Sequence, residues 1–250
     1  LPPGRLQPVR TLSGVTLDEL HGIDRQKAEL LRNVRQFLQG RPANNVLLWG
    51  ARGTGKSSLV KALLNALAPE GLRLVEVDKA GLASLPDVVE VLAGRPERFL
   101  VFSDDLSFAG DDPSYRALKA VLEGSVAAIP DNVLLVATSN RRHLLPEYLT
   151  ENLEARNVDG EIHHGEAVEE KVSLSERFGL WLAFHPFDQE TYLEIVRRWL
   201  EALGAQAGPG DEVRAEALRW ALARGSRSGR SAWQFARDPA GRLPGAARGG

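Results

Sequence analysis

Cysteine and methionine are both absent from the 250 residues. Without cysteine there is no disulfide and no thiolate metal site, so stability must rest on an apolar core. That composition is compatible with a reducing cytoplasm, where the protein is expected. Methionine is ordinary in chains of this size, and its complete absence points to deliberate replacement. An excess of one charge is also lacking: 31 Lys and Arg stand against 33 Asp and Glu, for a formal net charge of −2. This excludes a global electrostatic case for nucleic acid or anionic membrane and leaves only local patches. No apolar run approaches the roughly 20 residues of a membrane-spanning helix. The N-terminus has no signal-peptide core, and Leu1-Pro2-Pro3-Gly4 reads as the start of a fragment, a processed form or a trimmed chain. What remains is ordinary for a globular protein, 43% hydrophobic and 26% charged. The length suits one large domain, or a domain with a small companion.

The most informative stretch is Gly50, Ala51, Arg52, Gly53, Thr54, Gly55, Lys56 and Ser57. Its spacing is that of a phosphate-binding loop. The apolar run Val46-Leu47-Leu48-Trp49 precedes it, and the helix-like Ser58-Leu59-Val60-Lys61-Ala62-Leu63-Leu64 follows. Glycines let the backbone wrap a polyphosphate and turn N–H groups toward it. The helix that starts near Lys56 aims its positive end at the same anion. Lys56 would reach the terminal phosphates and the Ser57 hydroxyl would ligate Mg²⁺. Ser58 completes the set expected to bind the nucleotide. Chance alone gives this spacing on the order of once in a hundred such chains, and the flanking strand and helix make it rarer still.

The rest of the chain alternates. Apolar strands are predicted at 46–49, 72–77, 98–103, 132–137 and 181–185, with helices at 56–67, 84–92, 114–123 and 166–178. Such alternation, with near-continuous apolar strands, predicts an α/β fold: a parallel five-stranded sheet flanked by helices. A helix capped by Asp24 comes before it. After about Pro186 only helical patterns remain, at 188–205, 212–223 and 231–237, which predicts a small all-helical lid. The expected organisation is an N-terminal arm over 1–15, a nucleotide-binding α/β domain over 16–186, the lid over 187–238 and a disordered tail over 239–250.

Two strand ends carry the remaining chemistry. Phe99-Leu100-Val101-Phe102-Ser103 runs into Asp104 and Asp105. In a parallel sheet that end lies beside the phosphate loop. Asp104 would hold Mg²⁺ through its waters and Asp105 would polarise the attacking water. Val133 to Ser139 ends at Asn140, placed to orient the water or touch the γ-phosphate. Without the phosphate loop, both strand ends read as plain turn chemistry. The pair His163-His164, with Glu161 and Glu166 nearby, reads more simply as a loop than as a metal site. Arg141-Arg142-His143 reads as a solvated loop.

Taken in order, these segments resemble the AAA+ ATPases over about residues 16 to 237. Leu20-His21-Gly22-Ile23-Asp24 resembles the box that borders the adenine, which places Ile23 in the nucleotide site. Asn140 matches sensor 1. Arg177, in Ser175-Glu176-Arg177-Phe178-Gly179, resembles the arginine finger that reaches a neighbour's ATP. Arg230, in Gly229-Arg230-Ser231, resembles the lid's sensor 2, with Arg227 as its competitor. Pro42-Ala43-Asn44-Asn45, Ser139 to Tyr148 and Ser175 to Leu180 are similar to a bacterial AAA+ family of unknown function, domain-of-unknown-function family 815.

The resemblance implies ATP or ADP and Mg²⁺ as cofactors. It also implies a homo-oligomer, ring or filament, with Arg177 acting in trans on a macromolecular partner that the sequence does not identify. Most AAA+ proteins carry Glu where this chain has Asp105, so hydrolysis is expected to be slow. The alternative is a non-hydrolysing ATP-dependent switch or scaffold; a P-loop kinase is a third reading. The loop Asp78-Lys79-Ala80-Gly81-Leu82 lacks the aromatic–apolar pair of protein unfoldases. Nucleic acid remains open as a partner, and a membrane is not expected.

Overall fold

A computed structural model of the chain describes residues 6–108, 112–123, 129–141, 156–158, 161–163, 174–205 and 211–240. Residues 6–23 carry no helix or strand, and the Asn65 side chain donates to the carbonyls of Ser13 (2.7 Å) and Val15 (2.8 Å). Helix α1 spans Asp24–Leu38 and strand β1 spans Val46–Gly50. Then come α2 (Lys56–Leu67), β2 (Leu72–Glu76), α3 (Leu85–Leu92), β3 (Arg98–Ser103), α4 (Pro113–Glu123) and β4 (Val133–Ser139). Short strands β5 (Arg156–Val158) and β6 (Glu161–His163) precede β7 (Leu180–Phe184). Helices α5 (Gln189–Ala202), α6 (Asp211–Ala223) and α7 (Gly229–Ala240) follow.

Five strands form one parallel sheet in the order β2-β3-β4-β1-β7. Both faces of this sheet are covered, as the strands' composition requires. Along β3, Leu100 and Phe102 enter one apolar cluster with α1, α2 and the C-terminal helices, while Phe99 and Val101 enter a second with α3 and α4. Val46 and Leu48 against Leu47 repeat this in β1, and Leu134 and Val136 against Leu135 and Ala137 in β4. Strands apolar on both sides must be covered on both sides. Each fully buried Leu or Phe contributes about 1.5–3 kcal/mol relative to exposure.

The C-terminal helices share the first cluster. Tyr192 of α5 is fully buried and its hydroxyl donates to the Ala217 carbonyl of α6 at 3.2 Å. Trp199 of α5 lies 4.4 Å, centroid to centroid, from Trp233 of α7. Asp188 starts α5 as a true cap, accepting from the Thr191 N–H at 2.7 Å.

Several expectations are corrected. Asp24 is the first helical residue rather than the cap, which is Ile23; its carboxylate instead pairs with Lys27 Nζ at 2.7 Å. A 3-10 helix over Ala80–Ser84 carries the chain into α3. The last helix is longer than 231–237, reaching Ala240, so residues 239 and 240 belong to it rather than to a tail; 241–250 lie outside the described residues. The antiparallel pair β5–β6 was not expected. Its sequence signal was Asp159-Gly160, a two-residue hairpin dipeptide. Of the helix expected at 166–178, only 174–178 is described: 174–176 are helical, and the helix ends before Arg177 and Phe178.

Candidate functional site

Parallel pairing puts the C-terminal ends of β3, β4 and β1 side by side. Whatever follows each strand is therefore brought together, however far apart in sequence. The segment after β1 is the glycine loop, after β3 it is Asp104-Asp105, and after β4 it is Asn140.

The loop is built by glycines that no other residue could replace without strain. Gly50 has φ +126°, and a Cβ there would lie 2.0 Å from the Phe184 carbonyl oxygen of β7. The next residue, Ala51, donates its N–H to that same oxygen at 2.8 Å, which fixes the loop to the sheet edge. Gly55 precedes α2 with φ +102° and no side-chain cap. The first-turn N–H groups of α2 thus face the loop's concavity without a side-chain acceptor among the described residues. Ile23 packs beside Gly55, 3.4 Å from where its Cβ would stand.

Lys56 is 6% exposed. Its Nζ donates to the carbonyls of Gly50 (2.8 Å) and Ala51 (2.7 Å) and to Asn140 Oδ1 (3.2 Å). Burial lowers the ammonium's pKa from its ordinary value; Asp104 and Asp105 oppose the shift, and the positive charges of Arg230 and Arg52 add to it. Asn140 Nδ2 donates in turn to Asp105 Oδ1. The Asp105 N–H donates to Thr138 Oγ1 at 2.8 Å, and Thr138 Oγ1 donates to Asp104 Oδ1 at 2.5 Å. Ser57 Oγ donates to the same Asp104 oxygen at 2.6 Å. The circuit Lys56–Asn140–Asp105–Thr138–Asp104–Ser57 is therefore continuous. It starts and ends on adjacent residues of the loop.

Sequence reasoning named every member of this circuit except Thr138. The missed signal was a hydroxyl two residues before Asn140, on the strand that neighbours Asp104. Asp105 has φ +53°, the one positive value at a non-glycine among the described residues. Such strain concentrates where surrounding contacts over-determine the backbone.

The remaining candidates divide. Arg230 comes to the loop through the lid: its main-chain N–H donates to the Gly53 carbonyl at 3.1 Å. Its competitor Arg227 is occupied elsewhere, with Nε donating to the Phe187 carbonyl at 3.1 Å. Thr54 closes the loop internally, its hydroxyl donating to the Ala51 carbonyl at 2.8 Å, while Arg52 is exposed. Arg177 is not brought to this cluster. It precedes β7 at the opposite end of the sheet and pairs with Glu123 at 3.2 Å. Among the described residues no group of three or more His, Asp or Glu could hold a metal. His164 and Glu166, and Arg142 and His143, lie outside the described residues. No described helix is long and apolar enough to cross a membrane.

Residues 2–243 match the family model described as protein of unknown function (DUF815). No curated protein matches the sequence. Among solved structures, the chain is similar to the Thermotoga maritima RuvB Holliday junction branch migration motor. That match has 17% identity and a TM-score of 0.55, and covers 89% of this chain and 63% of that one. It is also similar to the Aeropyrum pernix ORC1 protein solved in complex with DNA, at 18% identity and a TM-score of 0.58, covering 86% and 58%. The chain spans a little under two thirds of these relatives' length. At such identity the likeness shows the fold alone, and that fold is the AAA+ one: a five-stranded parallel sheet flanked by helices, with a helical C-terminal region.

Proposed function

The chain belongs to the DUF815 family, and from that premise and the geometry of its strand ends we propose that it is a Mg²⁺-dependent ATPase. The carrying observation is the single hydrogen-bonded circuit that joins Lys56, Ser57, Asp104, Asp105 and Asn140. A purely structural turn at each strand end would not need to converge on a buried lysine.

The loop amides and Lys56 hold the β- and γ-phosphates, and Ile23 borders the base. Ser57 Oγ and the Asp104 carboxylate, whose Oδ1 lies 2.6 Å from Ser57 Oγ, are hard oxygen donors at the loop's rim; this donor set fits Mg²⁺, which Ser57 would ligate and Asp104 would hold through water. When bound, the ion supplies charge neutralisation across the phosphates. Asp105 and Asn140 orient a water for attack on the γ-phosphorus; the bond to the bridging oxygen breaks, giving ADP and phosphate. Arg230 stabilises charge from the lid and reports occupancy of the loop to it.

Arg177, at the far end of the sheet, serves a neighbouring copy in a head-to-tail ring or filament. In this reading its pair with Glu123 is exchanged for the neighbour's phosphate. The assembly remodels or regulates a macromolecular partner in a bacterial cytoplasm. Nucleic acid stays open as that partner, since RuvB is named a branch migration motor and ORC1 was solved with DNA.

Phosphate release by the intact chain, at concentrations that permit oligomers, tests the reading. It should exceed release by Lys56→Ala and Asp105→Asn. Tight ATP binding with release no greater than in either variant would leave the second reading, a nucleotide switch. The observation that favours that second reading is the short Asp105 carboxylate already engaged by Asn140.

A further inference from the structure

We propose that Thr138 is a positioning residue that sets both strand-end carboxylates, and that it makes a short aspartate serviceable at 105. The inference rests on the magnesium-dependent nucleotide reading above.

Thr138 is 1% exposed and sits on β4 between β1 and β3. It holds three consecutive residues of the neighbouring strand's exit. Its hydroxyl donates to Asp104 Oδ1 (2.5 Å), the hydroxyl oxygen accepts the Asp105 N–H (2.8 Å), and its carbonyl accepts the Leu106 N–H (2.7 Å). The hydroxyl proton has no freedom here. Because the Asp105 N–H approaches the oxygen on one side, the single O–H must point to the carboxylate on the other. Asp104 is thereby held as an acceptor, with Oδ1 taken by Thr138 and Ser57 and Oδ2 left to face water or a cation.

The same hydroxyl explains the backbone at 105. Accepting the Asp105 N–H holds that residue at φ +53°. A left-handed residue redirects its side chain relative to an extended strand. Here the turn brings the Asp105 carboxylate to the Asn140 amide. A side chain one methylene shorter than glutamate thus reaches the water-orienting group by a change of backbone rather than of length. Aspartate tolerates this conformation better than glutamate does. Threonine suits position 138 on two counts. Its β-branch fits a buried strand, and its hydroxyl provides donor and acceptor at once.

The test compares the full chain with Thr138→Val, which keeps the shape, and Thr138→Ser, which keeps the hydroxyl. Thr138→Ala is read in place of Thr138→Val should the latter not fold. Binding of fluorescent ADP is titrated with Mg²⁺, and hydrogen exchange of the peptide holding Asp105 is followed without nucleotide. In Thr138→Val the half-saturating Mg²⁺ should rise on the order of tenfold, the scale of one charge-assisted hydrogen bond. Exchange at Asp105 should quicken by a similar factor, and ADP affinity without metal should stay within about twofold. Thr138→Ser should behave as the parent chain does. The inference is overturned if Thr138→Val leaves Mg²⁺ dependence and Asp105 exchange unchanged, if Thr138→Ser shifts them equally, or if the parent chain's ADP binding ignores Mg²⁺. Absence of phosphate release by the parent chain would instead sink only the ATPase reading, since both readouts are taken without turnover.

Discussion

The main-chain N–H of Arg230 donates to the carbonyl of Gly53 at 3.1 Å, so the first turn of the last helix is bonded to the tip of the phosphate loop. Gly53 has φ +74°, and a Cβ there would lie 3.0 Å from both Arg230 Cβ and Ser228 Oγ. The glycine that lets the loop turn is also the one that lets the lid approach. Motion of the loop on binding phosphate would move the start of α7 directly.

Gly53→Ala should therefore cost more than backbone strain alone. Gly94 is the control: its φ is +72° and nothing lies within 4 Å of a Cβ there. Gly94→Ala should cost about 1 kcal/mol and lower Tm by roughly 2–4 °C. Gly53→Ala should lower it further and quicken hydrogen exchange over 229–233, which Gly94→Ala should not touch. Equal melting shifts with unchanged exchange in both would show that the loop and lid are not coupled through this contact.

Gly50→Ala is the harsher change. A Cβ 2.0 Å from the Phe184 oxygen cannot be accommodated by a rotamer, because the obstacle is backbone of β7. The loop would have to leave the strand edge and break the bond from the Ala51 N–H. A loss above about 4 kcal/mol is expected, read as a melting transition at least roughly 8–16 °C lower or as failure to recover folded protein. A variant that melts within a few degrees of the parent would contradict this packing.

Much of this was legible in sequence for local reasons. The phosphate loop has fixed spacing, and Phe99 to Phe102 or Val133 to Val136 are apolar without interruption, which only a doubly covered strand explains. Asp104, Asp105 and Asn140 were found because parallel strands end on one side. Thr138 was not, because its role depends on β4 lying next to β3, a pairing of strands that no local pattern encodes. Arg230 was expected near the loop by resemblance, but its main-chain bond to Gly53 was not, because it depends on where the last helix packs rather than on any local spacing. Arg177 was singled out by resemblance alone, and its observed neighbour, Glu123, lies 54 residues away.

The lid carries an acid-sensitive network on α5. Glu194 accepts from Arg197 Nη2 at 2.6 Å and from Arg198 Nε at 2.7 Å, and these bonds hold its carboxyl at about 2 against an ordinary 4.5. A carboxyl lowered on folding stabilises the fold above its unfolded pKa, and that stability fades as pH falls from about 4.5 toward 2. Glu194 is 42% exposed, so solvent and salt screen much of the effect. Glu194→Gln should flatten the dependence of Tm on pH across that window: the variant melts below the parent at pH 7, by an amount that solvent screening keeps small, and the two converge as pH falls toward 2. The parent's slope surviving intact in the variant would place the acid sensitivity elsewhere.

The short carboxylate at 105 invites the substitution Asp105→Glu, which restores the residue most AAA+ chains carry. The local backbone argues that it will not help. At φ +53° glutamate is less tolerated than aspartate, and its extra methylene would push the carboxylate past the Asn140 amide that now engages it. Asp105→Glu should therefore melt a few degrees lower and release no more phosphate than the parent. Asp105→Gly separates the two effects. Glycine adopts this φ at no steric cost, so Tm should hold or rise while phosphate release is lost with the carboxylate. A rise in phosphate release in Asp105→Glu, with Tm unchanged, would mean that the left-handed turn is not retained when the site is at work.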